Sequence, residues 1–297
     1  MLSVLIPVFH WDPSSLVSDL QKQLDQSGLE YEIIIGDDTP SANKPEYQIH
    51  LESRPEITCI FRPTSLGRSA NRNSLADKAR YPYLLFIDGD AGVAHPDFIS
   101  RYVSQLSPRQ VLAGGTLYPD QMPDDPALHL RWKFGKSREQ KLARERQKNP
   151  WRSFTTFNFV VPAEVFKKIR FNEEITGYGH EDTYFGFQLK KEGVPIIHLD
   201  NGLCHLGIEP ADQFLLKVRE SVHNLFELQN TGTLPLEIIQ DIKLLKKYRL
   251  ARLTGTGGLI KLLFRVFRKP VEKRLMQPDP SLLLLDLYKL GLICQIA

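Results

Sequence analysis

Cysteine is scarce in this chain. Cys59, Cys204 and Cys294 are odd in number and far apart, which argues against a disulfide framework and fits a reducing compartment. No second Cys/His pair at zinc spacing accompanies Cys204-His205, so a structural zinc site is not expected. Long apolar runs are missing too. The longest, at 33–35, 83–87 and 282–285, fall far short of the roughly 20 residues that span a bilayer. Residues 1–20 carry no basic start followed by an apolar core, so no secretory leader is expected. No internal repeat is present. With 42% hydrophobic and 25% charged residues, disorder and fibrous structure are excluded. A chain of 297 residues leaves room for two domains at about 150 residues each.

Net charge is also small, +3, but it is unevenly spread. Residues 243–274 hold eleven Lys/Arg against one acid, Glu272, a net +10 that leaves −7 on the rest of the chain. A basic tail on an acidic body suits a polyanionic partner such as an anionic membrane surface. Within it, Ile260, Leu263, Phe264 and Phe267 recur at helical spacing beside a stripe of Lys261, Arg265 and Arg268. That pattern predicts a basic amphipathic helix over 257–269, interfacial or packed on a core; residues 281–292 add a second apolar segment. No helix-turn-helix, zinc-finger or aromatic RNA-binding signature is present, so nucleic acid is not an expected partner.

The first 200 residues alternate apolar runs with amphipathic stretches. Strands are predicted at 3–9, 31–35, 57–61, 83–87, 111–113, 155–161 and 194–199. Helices are predicted after an Asp12 N-cap with Pro13 in the first turn, and over 67–80, 98–106, 162–169 and 181–191. This β-α-β rhythm implies an α/β fold whose mostly parallel sheet is covered on both faces. Residues 120–153 lose the pattern and read as a long excursion, part helical or mobile. From 211 onward the pattern is helical, with one helix through Phe214–Phe226 and another over 236–250.

In such a sheet ligands bind beyond the carboxyl ends of the strands, and carboxylates cluster there. The second strand runs into Asp37-Asp38 and the fourth into Asp88-Gly89-Asp90. An Asp-x-Asp triplet is often only a solvated turn. Directly after a buried strand, two hard oxygen ligands suit Mg²⁺ or Mn²⁺, and Gly89 leaves room for a ligand. Gly177-Tyr178-Gly179-His180-Glu181-Asp182 brackets a tight loop and opens a helix with two acids, which serve either as caps or as a general-base site. Arg68 and Arg72 lie one turn apart at a helix start, where guanidinium groups form a solvated face or bind phosphate.

In order and spacing these motifs resemble the family-2 glycosyltransferases over roughly residues 2–230. SVLIPVF resembles the opening strand, YEIIIGDDTP the second, LGRSANRN the glycine-bearing helix start, LLFIDGD the D-x-D strand, GYGHEDTYFG the late G-x-G-x-E-D segment, and CHLG the metal-binding histidine. The resemblance implies a GT-A catalytic domain over 1–230, with a basic helical C-terminal region over 231–297. It further implies an inverting, Mn²⁺- or Mg²⁺-dependent transfer of a hexose or N-acetylhexosamine. The donor would be a UDP-sugar and the acceptor a hydroxyl of a glycan or lipid-linked glycan, at a cytoplasmic membrane face. Alternatives are transfer to a polyprenyl phosphate, or a non-catalytic glycan- or nucleotide-binding module. Carried over by residue, Pro7, Asp37, Asp38, Arg68, Arg72 and Asp88 would meet the nucleotide-sugar, with Asp37 favoured for the base. Asp90 and His205, with Asp88, would hold the metal. Asp182 would be the general base, with Glu181 supporting it or the acceptor, and His180 would touch the acceptor.

Overall fold

The apolar run Leu2–Val8 forms the central strand β1 of the computed structural model, which describes residues 1–41 and 43–297. Side chains alternate across it. Leu2, Val4, Ile6 and Val8 enter one core with Leu16, Leu20 and Tyr102, while Leu5 enters another with Leu75, Phe86, Phe159 and Phe185. Both faces are therefore covered, as an uninterrupted apolar strand requires. Along the chain, β2 is Tyr31–Asp37, β3 Ile57–Phe61, β4 Tyr83–Ile87, β5 Ala91–Gly92, β6 Val111–Ala113, β7 Thr116–Leu117, β8 Asn158–Pro162, β9 Ile196–His198 and β10 Leu203–His205.

Seven strands form one sheet in the order β3-β2-β1-β4-β8-β6-β9. It is mostly parallel, as the sequence predicts, but β8 runs antiparallel to both β4 and β6. A second sheet, β5-β10-β7, has strands of two or three residues, too short to leave a periodic signal. The first helix begins at Ser14, with Pro13 rather than Asp12 at its cap. Asp12 Oδ1 instead accepts from the Ser14 amide at 2.9 Å. Gly28 closes that helix at φ +68°, the left-handed conformation that its stop role requires.

The chain divides into two compact units. The first comprises residues 1–118, 140–176 and 181–207, and holds both sheets. The second comprises 119–139, 177–180 and 208–297. The expected boundary at 230 differs from this division, because the helix Ala211–Asn230 falls in the second unit. Its Phe214 ring meets Phe134 at 5.3 Å, and its Arg219 reaches Glu272 at 3.2 Å. The excursion is part helical, with a short helix at His129–Phe134 in the second unit and another at Ala143–Arg146 in the first. The helix expected over 236–250 breaks at Ile242, which is extended (ψ 115°), into Leu236–Asp241 and Lys243–Leu253. The helix Gly257–Leu275 turns Phe264 and Leu275 inward. Leu263 and Phe267, expected on the same face as Phe264, are exposed. Among the described residues no helix is long and apolar enough to cross a membrane.

Candidate functional site

The first unit concentrates acids where β4 ends. Asp88-Gly89-Asp90 turns back on the sheet: the Asp88 amide donates to Phe157 O at 3.0 Å, Gly89 to Pro7 O at 3.1 Å, and Ala91 to Asp88 O at 3.1 Å. Pro7 thus contributes its carbonyl as a brace for the turn. A Cβ on Gly89 would fall 2.8 Å from Val8 Cγ2 and 3.1 Å from Pro7 O. Glycine stands there because the turn sits on β1; the room expected for a ligand is taken by that strand.

The short sheet then decides the neighbourhood of Asp90. Antiparallel pairing of β10 with β5 sets His205 opposite Ala91, and the Leu206 amide donates to Asp90 O at 2.9 Å. His205 Nε2 consequently lies 3.1 Å from Asp90 Oδ2. The rings of Tyr118 and Phe157 each sit 5.5 Å from the imidazole and fix its plane. His205 Nδ1 is buried without a hydrogen-bond partner. Gly207 leaves open the space beside the carboxylate, since a Cβ there would fall 2.4 Å from Asp90 Oδ2.

This donor set suits a small divalent cation. A carboxylate oxygen and an imidazole nitrogen converge, and a hard cation of this class takes its remaining ligands from water and phosphate. Asp88 does not join them. Its Oδ1 accepts from Arg72 Nη2 at 2.6 Å, and among the described residues no group of three or more His, Cys, Asp or Glu is placed to hold a metal. A buried guanidinium has claimed the third expected ligand.

Arg72 links the other acids. It lies on the helix Arg68–Lys78, only 5% exposed. Its Nη1 is 3.8 Å from Glu181 Oε1, and its guanidinium lies over the Phe171 ring at 5.6 Å. Burial alone would lower its pKa, but Asp88, Glu181 and Asp182 outweigh that and raise it. Arg72 is therefore a buried counterion to three carboxylates rather than a group extended toward phosphate. Arg68, one turn earlier, is exposed at the helix start. Burial pushes the Asp88 carboxyl up, against the opposing pull of Arg72.

Glu181 and Asp182 open the helix Glu181–Lys191. Asp182 Oδ1 accepts from the Thr183 amide at 2.6 Å, which restrains the side chain in the first turn. Burial, then the adjacent Glu181 charge, raises the Asp182 carboxyl from 3.8 to about 7. That is the range in which a carboxylate works as a general base near neutrality. Glu181 is buried and its Oε2 has no hydrogen-bond partner.

The acids ending β2 are engaged internally. Asp37 accepts from the Thr39 amide (2.9 Å), Tyr47 Oη (2.7 Å) and Gln48 Nε2 (3.1 Å). Asp38 accepts from Ser65 Oγ (2.7 Å) and the amides of Leu66 (2.7 Å) and Gly67 (2.8 Å). Both organise loops at the strand ends. His180 belongs to the second unit. It adopts φ +76°, strained for a residue with a side chain, and its Nε2 lies 3.3 Å from Ser221 O. The loop before it is held by Asn224 Nδ2, which donates to Gly179 O at 2.9 Å.

Sequence reasoning missed Gly207, Tyr118 and Phe157 around the Asp90–His205 pair, and the role of Arg72 as a shared counterion. The glycine of CHLG was the available signal for the first.

A model of the family described as Glycosyl transferase family 2 matches residues 3–170, which takes in Arg72, Asp88 and Asp90. Two curated relatives, both named validoxylamine A glucosyltransferase, come from Streptomyces hygroscopicus. The subspecies limoneus protein is 25% identical over 224 residues, 66% of this chain and 49% of that protein. The subspecies jinggangensis protein is 25% identical over 225 residues, 66% of this chain and 53% of that protein. The chain thus spans about half the length of the curated relatives it matches. Among solved structures, a mannosyltransferase from Pyrobaculum calidifontis in complex with GDP-Man and Mn²⁺ shares the fold. Its TM-score is 0.56 at 13% identity, over 99% of this chain and 85% of that one.

Proposed function

The chain belongs to glycosyl transferase family 2, and we propose that it is an inverting, metal-dependent transferase. It moves a hexose or N-acetylhexosamine from a UDP-sugar to a hydroxyl of a glycan, free or lipid-linked. The observation that carries this reading is the Arg72-centred cluster. One buried guanidinium reaches Asp88 at 2.6 Å and Glu181 at 3.8 Å, Asp182 beside them is raised to about 7, and the Asp90–His205 pair closes at 3.1 Å in the same unit. Named relatives that transfer glucose, and a structural neighbour solved with a nucleotide-sugar and Mn²⁺, support the same substrate class.

The work of the residues follows from their chemistry. Asp182 takes the proton of the acceptor hydroxyl as its oxygen attacks the anomeric carbon, a contribution of about 10² to 10⁴ in rate for a placed base. Attack from the face opposite the leaving diphosphate, in one displacement, inverts that carbon. Arg72 positions Glu181 so that it accepts a hydrogen bond from a second acceptor hydroxyl, and orients Asp88 toward the donor ribose. Arg68, exposed at its helix start, faces the diphosphate. Asp37 and Asp38 shape the loops that receive the base. Asp90 and His205 would hold Mn²⁺ or Mg²⁺, which when bound offsets negative charge on the departing diphosphate. A base near 7 serves a neutral hydroxyl and adds little for a phosphate that is already anionic, which favours a hydroxyl over polyprenyl phosphate as acceptor.

The test is a thermal-shift screen of the full chain with UDP-, GDP- and dTDP-sugars, with and without Mn²⁺. Metal-dependent stabilisation by UDP-sugars, lost in Asp90→Asn, is the expected result. Stabilisation by no nucleotide-sugar under any condition would refute the reading.

A further inference from the structure

The helix Gly257–Leu275 buries one side and leaves the other apolar. Phe264 packs on Tyr288 with ring centroids 5.5 Å apart. Gly291 lies so close that a Cβ there would fall 2.2 Å from the Phe264 ring. That contact fixes which side faces inward. On the outer side, Leu259, Leu262, Leu263, Val266 and Phe267 recur at helical spacing and are between 48% and 62% exposed. Five large apolar side chains in one uncovered stripe exceed what scattered surface residues explain.

The charge around the stripe decides what covers it. Residues 243–274 carry a net +10. Their single acid is turned inward, where Glu272 Oε1 accepts from Tyr288 Oη (2.6 Å), Arg268 Nε (3.0 Å) and Arg219 Nη1 (3.2 Å). No carboxylate of this segment remains to repel an anionic partner. Arg265, Lys269, Lys273 and Arg274 are exposed on the same helix. A second copy of the chain would bring like charges together across the stripe. A surface that is apolar at depth and anionic at its rim satisfies both features.

We propose that the helix Gly257–Leu275 lies in the interface of an anionic lipid bilayer. Leu259, Leu262, Leu263, Val266 and Phe267 enter the acyl boundary while the flanking cations meet the headgroup phosphates. This inference stands apart from the transfer reading, since vesicle capture is measured without donor or acceptor.

The experiment is co-sedimentation of the full chain with vesicles of phosphatidylcholine alone, or of phosphatidylcholine mixed equally with phosphatidylglycerol. Capture by the mixed vesicles only, weakening as salt rises, is expected. Arg265→Gln with Lys269→Gln should weaken it about 25-fold, at about fivefold per cation. Leu263→Asp with Phe267→Asp should abolish it; both positions are exposed, so circular dichroism should show an unchanged fold. Absence of capture, or equal capture by neutral vesicles, would overturn the proposal. So would a concentration-dependent dimer in sedimentation velocity that the Leu263/Phe267 variant abolishes, because the stripe would then belong to a second copy.

Discussion

Replacing Asp182 by Asn should make the protein more stable while removing its activity, and the gain should depend on pH in a defined direction. The side chain keeps its shape, and an amide oxygen still accepts from the Thr183 amide, now at 2.6 Å. What disappears is a charge that the fold tolerates poorly. The folded pKa is raised from 3.8 to about 7, so the folded state binds this proton more tightly than the unfolded chain. The stability it confers is fully present below about 4 and is lost as pH rises through about 7. Linkage across that interval puts the cost of the ionised carboxyl at about 2 kcal/mol near pH 5 and about 4 kcal/mol near pH 8. The neutral amide escapes this cost. Urea unfolding of wild type and Asp182→Asn should therefore show a stability gain about 2 kcal/mol larger near pH 8 than near pH 5. Transfer in the variant should fall by about 10² to 10⁴ with donor binding retained. An equal gain at both pH values, or a variant less stable near pH 8, would refute the account of Asp182 as a carboxyl held up by burial and by Glu181.

Three further outcomes follow from neighbouring contacts. Wild-type turnover should rise with pH through about 7, the limb set by ionisation of Asp182, and a pH–rate profile checks it. Arg72→Met should cost about 3–5 kcal/mol by leaving Asp88 and Glu181 without their counterion. The loss should shrink as pH falls, because protonation of Asp88, already pushed up by burial, relieves it, as denaturant titrations at two pH values would show. Gly207→Ala would press a methyl to within 2.4 Å of Asp90 Oδ2 and should weaken Mn²⁺ binding by about 10- to 100-fold; metal titration followed by paramagnetic relaxation reads this directly.

Much of the first unit is written in its apolar runs. Leu2–Val8, Tyr31–Asp37 and Tyr83–Ile87 are too apolar to lie anywhere but in a sheet covered on both sides, and the helix Ser14–Ser27 carries Leu16, Leu20 and Leu24 on one side. The acids at the ends of β2 and β4 were visible for the same reason, since a run of that kind must end in something polar. What sequence could not give was partnership. Strands as short as Ala91–Gly92 have no period, so the ladder that brings His205 to Asp90 was foreshadowed only by the resemblance that CHLG carries. Arg72 read as a solvated or phosphate-binding cation because its burial depends on Phe171 and Glu181, about a hundred positions away. Asp37 and Asp38 looked available because their donors come from the short helix Glu46–Leu51, through Tyr47 and Gln48, and from a patternless loop, through the amides of Leu66 and Gly67. The apolar spacing of the C-terminal helix gives a face but not which neighbour takes it: Tyr288 and Gly291 take Phe264, and Leu263 and Phe267 stay exposed.

The pairing of Ala91 with His205 has a consequence for biogenesis. Chains leave the ribosome N-terminus first, and domains fold in that order as they emerge. The turn that presents Asp90 is made early, yet its imidazole companion arrives only after the whole of β6 to β9 has been synthesised. A nascent chain halted before residue 200 holds Asp90 without the imidazole beside it, so the cation site proposed above would be completed late. Truncation in that interval would leave the opening strands without the Asp90–His205 pair.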